Sequence, residues 1–192
     1  MEDDVRDFDS IYREFQPKIA RYLSQLVGED DAYDLTHVVL LKVSRSLVSF
    51  RGESSLATWI FRIATNSAHT HLLSSNAKQR EREVHFEDPC SLDEFPDPAS
   101  RGTDHEYIRR EMNSCIRNIV DQLPENYSTV LLLSEFEEFT NPEIAEILGL
   151  NIDTVKIRLH RARVRLRKSM ECQCSVYRDE RNELACDPKE CL

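Results

Sequence analysis

Glycine is scarce in this chain, with four residues in 192. Tight hairpins lean on residues that tolerate positive φ, so a glycine-poor, highly charged chain argues against an all-β fold and for helices. Long apolar runs are missing too. No stretch approaches the ~20 residues of a membrane helix, and 40% hydrophobic residues with a mean hydropathy of −0.52 fit a soluble protein. The opening Met1-Glu2-Asp3-Asp4 lacks both the basic and the apolar part of a signal peptide, so a cytoplasmic location and no membrane partner are expected. There is no phosphate-binding glycine loop and no nucleophile motif, and the cysteines have no companion acid or base. An enzyme is not expected. The length allows one large domain or two small ones.

What is present is sharply divided charge. The net charge of −10 looks wrong for a nucleic-acid binder. Yet Lys156, Arg158, Arg161, Arg163, Arg165, Arg167 and Lys168 crowd the segment from Thr154 to Ser169, with no acid among them. Residues 121–146 carry Asp121, Glu125, Glu135, Glu137, Glu138, Glu143 and Glu146, with no base. A short amphipathic segment runs into Gly149, and the basic segment follows. Ala145, Gly149 and Val155 stand where a helix-turn-helix needs a small residue, a tight turn and a core anchor. The second helix of such a motif lies in a DNA major groove. One basic edge on an acidic body implies weak DNA binding alone and a larger partner that supplies affinity.

Helical periodicity organises the rest. Phe8, Ile11, Phe15, Ile19, Tyr22 or Leu23, and Leu26 predict a first helix with Asp9 as its cap and Gly28 as its stop. Leu35, Val38, Val39, Val43, Leu47 and Phe50 predict a second, over about 30–49. Leu56, Trp59, Ile60, Ile63 and Ala64 predict a third, capped by Ser54 or Ser55 and running to about Arg80. Periodicity vanishes over 83–104, where Pro89, Pro96 and Pro98 interrupt an acidic stretch that reads as an extended linker. Beyond it, Ile108, Met112, Cys115, Ile116, Ile119, Val120 and Leu123 keep helical spacing, and Pro124 suits the first turn of the next helix. Thr140-x-x-Glu143 is a capping box, and Asn151 or Asp153 can cap the basic helix. The expected fold is all-α: a helical module over 1–82, a flexible acidic linker over 83–104, a helix-turn-helix module over 105–170 and a Cys-rich tail over 171–192.

Two sets of motifs together resemble the extracytoplasmic-function (ECF) group of bacterial sigma-70 factors. In the first module these are Asp31-Ala-Tyr-Asp34-Leu35, Phe50-Arg51-Gly52 and Ser55-Leu-Ala-Thr-Trp59-Ile-Phe61-Arg62-Ile-Ala-x-Asn66. In the second they are Leu123-Pro124-Glu125-x-Tyr127, Glu143-Ile-Ala-Glu-Ile-Leu-Gly149 and Thr154-Val-Lys156-x-Arg158-Leu-His160-Arg161-Ala-Arg163. The resemblance spans roughly residues 7–170. It implies a non-catalytic promoter-recognition subunit whose partners are core RNA polymerase and promoter DNA. Asp31, Asp34 and Leu35 would belong to the polymerase-docking helix. Trp59, Phe61, Arg62 and Asn66 would read the −10 element, where aromatic faces and polar edges hold unstacked bases. Thr154, Lys156, Arg158, Arg161, Arg163 and Arg165 would serve the −35 element, Lys156 and Arg158 at base edges and Arg161, Arg163 and Arg165 on phosphates.

By periodicity alone Trp59 reads as core, Asn66 as a surface amide, and Asp31 and Asp34 as partners of a helix dipole. The chain also departs from the family. His37-Val38 replaces a usual Gln-Glu pair, Ile157 stands where a small polar residue is usual, and Ser74 to Arg80 is poor in bases.

The tail sets this chain apart. Cys172, Cys174, Cys186 and Cys191 are spaced Cys-x-Cys-x11-Cys-x4-Cys in a segment too short to bury a core. In a reducing compartment clustered thiols suggest metal ligands, with a disulfide switch as the alternative. Thiolates favour Cu(I), Zn(II) or Cd(II). Within the ECF group such a tail resembles the CorE-type metal-responsive members. That resemblance implies copper first, then zinc or cadmium, a contribution from the linker Cys90, and no requirement for a separate anti-sigma factor. The rival expectation is a stand-alone metal- or redox-sensing helix-turn-helix regulator that needs no polymerase.

Overall fold

The computed structural model describes residues 7–82, 119–120, 122–178 and 184–188. Helices α1 (Phe8–Val27), α2 (Glu29–Ser46) and α3 (Leu56–Arg82) pack pairwise into the first module. The inner stripe of α1 is Ile11, Phe15, Ile19, Tyr22 and Leu23, all buried. Asp7 takes the N-cap position, so Asp9 sits within the first turn, where its charge meets the positive end of the helix dipole. Gly28, at φ +86, ends α1 and starts α2 with no intervening loop, a reversal that needs a residue without Cβ. On α2 the buried residues are Ala32, Leu35, Thr36, Val39, Leu40 and Val43. Val38, expected on that stripe, is 43% exposed, because Val39 takes the inward position and its neighbour lies about 100° round the helix. A 3-10 turn (Leu47–Ser49) leads towards α3, whose first turn is capped by Ser55 Oγ accepting from Thr58 N at 3.1 Å.

The linker and most of the helix expected before Leu123 lie outside the described residues; Ile119 and Val120 are helical and buried. Pro124 proves to be the N-cap of α4 (Glu125–Leu131), its carbonyl accepting from Tyr127 N and Ser128 N at 2.8 and 3.1 Å. A π-helical turn (Leu132–Phe136) follows and closes when Phe139 N donates to Leu133 O at 2.9 Å. That closure places Glu138 at φ +59, a left-handed conformation that a side chain makes costly. Helix α5 (Asn141–Leu148) carries the expected capping box, with Thr140 N and Oγ1 donating to Glu143 at 2.9 and 2.7 Å. Left-handed Gly149 (φ +62) ends it, and α6 (Ile152–Gln173) begins after Asn151, whose Oδ1 accepts from Thr154 N at 2.8 Å. Ala145 and Val155 are buried on either side of this turn, as a helix-turn-helix requires.

Two features depart from expectation. The first is that the tail forms strands in a chain expected to be all-α. Strands β1 (Cys174–Arg178) and β2 (Leu184–Pro188) pair antiparallel, with Cys174 opposite Pro188 and Val176 opposite Cys186. The β-favouring Val176-Tyr177 step was overshadowed by the cysteine spacing. The second is a core that does not stop at the module boundary. Buried residues of α1, α2 and α3 join those of α4, α5 and α6 in one continuous cluster.

The capping box generates a pH-dependent prediction. Hydrogen bonds from Thr140, chiefly its hydroxyl and then its amide, hold the Glu143 carboxyl below the usual carboxylate range. A depressed carboxyl contributes stability above its unfolded pKa and loses it as pH falls through the folded value. Thr140→Ala should cost about 1 kcal/mol near neutrality by urea denaturation. The stability gap between the native chain and Glu143→Gln should narrow as the pH is lowered below the carboxylate range. A gap constant with pH would refute the capping role of the charge.

Candidate nucleic-acid interface

Helix α6 is amphipathic in an unusual sense, since its outer face is cationic. Val155, Leu159 and Ala162 form its buried stripe at 2% exposure or less. Lys156, Arg161, Arg163, Arg165, Arg167 and Lys168 are exposed, while Thr154 and Arg158 are half-buried. The basic residues do not behave alike. Lys156 approaches Asp153 at 3.7 Å, Arg163 donates to Glu135 Oε1 through Nε and Nη2 at 3.1 and 2.6 Å, and Arg165 lies 4.9 Å over the Tyr127 ring. The first two contacts are solvent-exposed ion pairs worth ~0–1 kcal/mol, so a phosphate can displace them. Arg158 is different. It turns towards α3 and lines a groove of about 430 Å³ with Thr65, Asn66 and His69. Its expected place at base edges is not where the free chain holds it.

In the first module, Trp59, Arg62 and Asn66 do come together. They line an open hollow of about 400 Å³ with Phe50, Arg51 and Ile63, and the Phe50 and Trp59 rings sit 5.1 Å apart. Half-buried Trp59 thus has a core side and a free side. Phe61 does not join them. It is 1% exposed, packed between Tyr22 at 5.2 Å and Phe139 at 4.9 Å between ring centroids. On α2, Asp31 and Asp34 are exposed and Leu35 is buried, so Leu35 shapes the helix from within instead of presenting itself to a partner. Asp31 Oδ2 sits 3.0 Å from His71 Nε2 of α3. Tyr33, His37 and Leu41 share the outer face of α2, where Tyr33 is 68% and Leu41 57% exposed.

Sequence reasoning missed the contacts that join the modules. Arg21 Nη2 and Nε donate to Glu137 Oε1 at 2.8 and 3.3 Å, and Nη2 also reaches Phe136 O at 3.5 Å. Glu146 of α5 lines the hollow that holds Arg62 and Asn66. Left-handed Glu138 lies between Glu137 and Phe139 and aims this pair at the first module. The available signal was the alternation Glu135-Phe136-Glu137-Glu138-Phe139, which put two aromatics into an otherwise acidic stretch.

In the tail, Cys172 is exposed on the last turn of α6 and Cys174 is buried at the start of β1. Cys186 belongs to β2, while Cys90, Cys115 and Cys191 lie outside the described residues. Among the described residues no three His, Cys, Asp or Glu form a group able to hold a metal ion. Nor, among them, is any helix long and apolar enough to cross a membrane.

Comparison with known proteins agrees with both modules. Residues 11–78 match sigma-70 region 2, and residues 113–166 match sigma-70 region 4. The RNA polymerase sigma-H factor of Pseudomonas aeruginosa is 30% identical over 175 residues, covering 88% of each chain. The ECF RNA polymerase sigma-E factor of Haemophilus influenzae is 30% identical over 161 residues, covering 83% of this chain and 85% of that one. Among solved structures, the sigma factor RpoE in complex with the anti-sigma factor NepR from Bartonella quintana shares the fold. Its TM-score is 0.67 at 21% identity, over 87% of this chain and 98% of the other.

The joined modules should respond to two substitutions in opposite directions. Burial pushes the Glu137 carboxyl above its usual range despite the Arg21 hydrogen bond and charge. An arrangement that raises a carboxyl pKa binds protons more readily than one that leaves it solvated, so acidification favours the joined form. Permanently neutral Glu137→Gln should therefore keep the modules together at neutral pH. Phe139→Ala should release them, with a larger radius of gyration in X-ray scattering and faster amide exchange over 58–66. Unchanged scattering and exchange in Phe139→Ala would show that the aromatic contact does not hold the modules.

Proposed function

The chain belongs to the ECF group of the sigma-70 family, and from that premise we propose how its geometry handles a promoter and how its tail governs it. As a sigma factor it acts with core RNA polymerase and promoter DNA, as an initiation factor and not an enzyme. The carrying observation is α6, anchored through Val155 and Leu159 behind the Gly149 turn with its cationic face outward. In this reading α6 lies in the major groove of the −35 element, Lys156 near base edges and Arg161, Arg163 and Arg165 on phosphates. Arg158 joins them only after leaving α3. The hollow of Trp59, Arg62 and Asn66 takes an unstacked −10 base between an aromatic face and polar edges. Exposed Asp31 and Asp34, with Tyr33 and Leu41 beside them, dock on the polymerase. A cytoplasmic location follows from that partner.

The joined modules represent the inactive member of a two-state pair. Phe61 cannot meet DNA while it packs on Phe139, and Glu146 places a carboxylate at the hollow where a phosphodiester would pass. Opening exposes both. The tail would bias this equilibrium by binding a metal ion, with copper first and zinc or cadmium next. Cys172, Cys174, Cys186 and Cys191 would hold it, joined by Cys90 of the linker. The antiparallel register favours this set, because it places positions 174 and 186 diagonally on one face of the hairpin. A bound soft ion would supply a crosslink between tail and linker. This would make a separate anti-sigma factor unnecessary, in contrast to the Bartonella protein, which was solved with one bound. The stand-alone regulator reading is not favoured, since it leaves the first module without a task.

The test is transcription in vitro from the chain's own upstream region with purified core polymerase, titrated with copper, zinc and cadmium. The native chain should direct initiation and change output with one of these metals. The Cys172→Ser/Cys174→Ser variant should initiate without that response. An identical metal response in the variant would sink the switch, and a native chain that shifts DNA equally well without polymerase would restore the rival.

A further inference from the structure

Going round α6 at about 100° per residue, the positions opposite the buried stripe of Val155, Leu159 and Ala162 are Asp153, Ile157, Val164 and Lys168. His160 and Arg161 lie immediately to either side. This is the crest of the helix, the line farthest from the core. Its two apolar members are open to solvent, Ile157 at 52% and Val164 at 54%. A scattered exposed aliphatic needs no explanation. Ile157 is not scattered. It stands at the outermost point of a cationic helix, six residues from the Asn151 cap, with Lys156 and Arg161 exposed around it.

The floor of a major groove offers one apolar feature to such a side chain, the C5-methyl group of thymine. Base contacts come from the N-terminal part of a recognition helix, where Ile157 lies. Val164 is seven residues further on, about 10 Å along the axis, towards the part of the helix that leaves the groove. Resting on the reading of α6 given above, we propose that Ile157 is a specificity-determining residue that packs on a thymine methyl in the upstream promoter element. Lys156 and Arg161 hold the backbone or base edges around it. Desolvating an isoleucine against a methyl is favourable, whereas against the polar edge of cytosine or guanine it leaves donors and acceptors unpaired. The consequence is a thymine requirement at one position that no hydrogen bond explains.

The holoenzyme, assembled from the full chain and core polymerase, is used to select duplexes from a library randomised across the upstream element. Each thymine of the selected sequence is then replaced in turn by deoxyuridine, which lacks only the methyl. The native chain should lose about three- to fivefold in binding at one position, the order expected for withdrawing one buried methyl. Ile157→Ser should bind thymine and uracil equally there, and Ile157→Val should keep part of the difference. Indifference of the native chain to every replacement, or the full uracil penalty persisting in Ile157→Ser, would overturn the proposal. Lys156→Ala and Arg161→Ala separate this from the reading beneath it. If they weaken binding on all duplexes while uracil has no effect, Ile157 has no such role and α6 still reads DNA. If none of these changes matters, both ideas fall.

Discussion

Phe61 stacks against Tyr22 of its own module and Phe139 of the other, and this aromatic sandwich makes a single core from two units. An edge-to-face or tilted pair adds roughly 0.5–1.5 kcal/mol beyond the area it buries. That is small against a domain's packing but large for a single contact between modules. Beside it, the Arg21–Glu137 ion pair joins the same two modules. Helix α3 carries two different faces. Phe61 completes the shared core against Phe139, while Trp59, Arg62 and Asn66 line the open hollow on another side of the helix. Packed interfaces are bistable, so small changes in the balance become changes of population.

Charge follows the same logic. The acids of the second module are not spread evenly over its surface. Glu137 and Glu143 face the first module, Glu146 lines the hollow beside Arg62 and Asn66, and Glu135 holds Arg163. Glu137 pairs with Arg21 and Glu135 with Arg163. The chain is acidic overall, yet the outer face of α6 is cationic, because much of the negative charge sits at or beside the seam between the modules.

Most of the architecture was legible because it depends on local periodicity. The stripes of α1 and α3, the Thr140–Glu143 box, the Gly149 turn and the Asn151 cap all rest on residues within a few positions of each other. Errors came where a neighbour decided the outcome. Val38 yields the inward place to Val39, Leu35 is core where a docking role was expected, and Pro124 caps a helix instead of entering it. The site was half legible. Trp59, Arg62 and Asn66 meet because one helix carries them. Phe139, Glu137 and Glu146 could not be placed beside them, since nothing in a linear pattern says which face of α3 meets α5. The strand pairing of the tail went unseen for a similar reason, because cysteine spacing speaks of ligands and says little of backbone.

Helix α6 runs for 22 residues without a break and passes directly into β1. At 1.5 Å per residue it is a rigid rod about 33 Å long. One end carries the crest with Ile157; the other carries Cys172 and hands over to Cys174. Such a rod transmits torsion. A rotation imposed at its Cys172 end would appear, nearly undiminished, at the crest. The tail hairpin is therefore joined through one stiff shaft to the exposed face that carries Ile157.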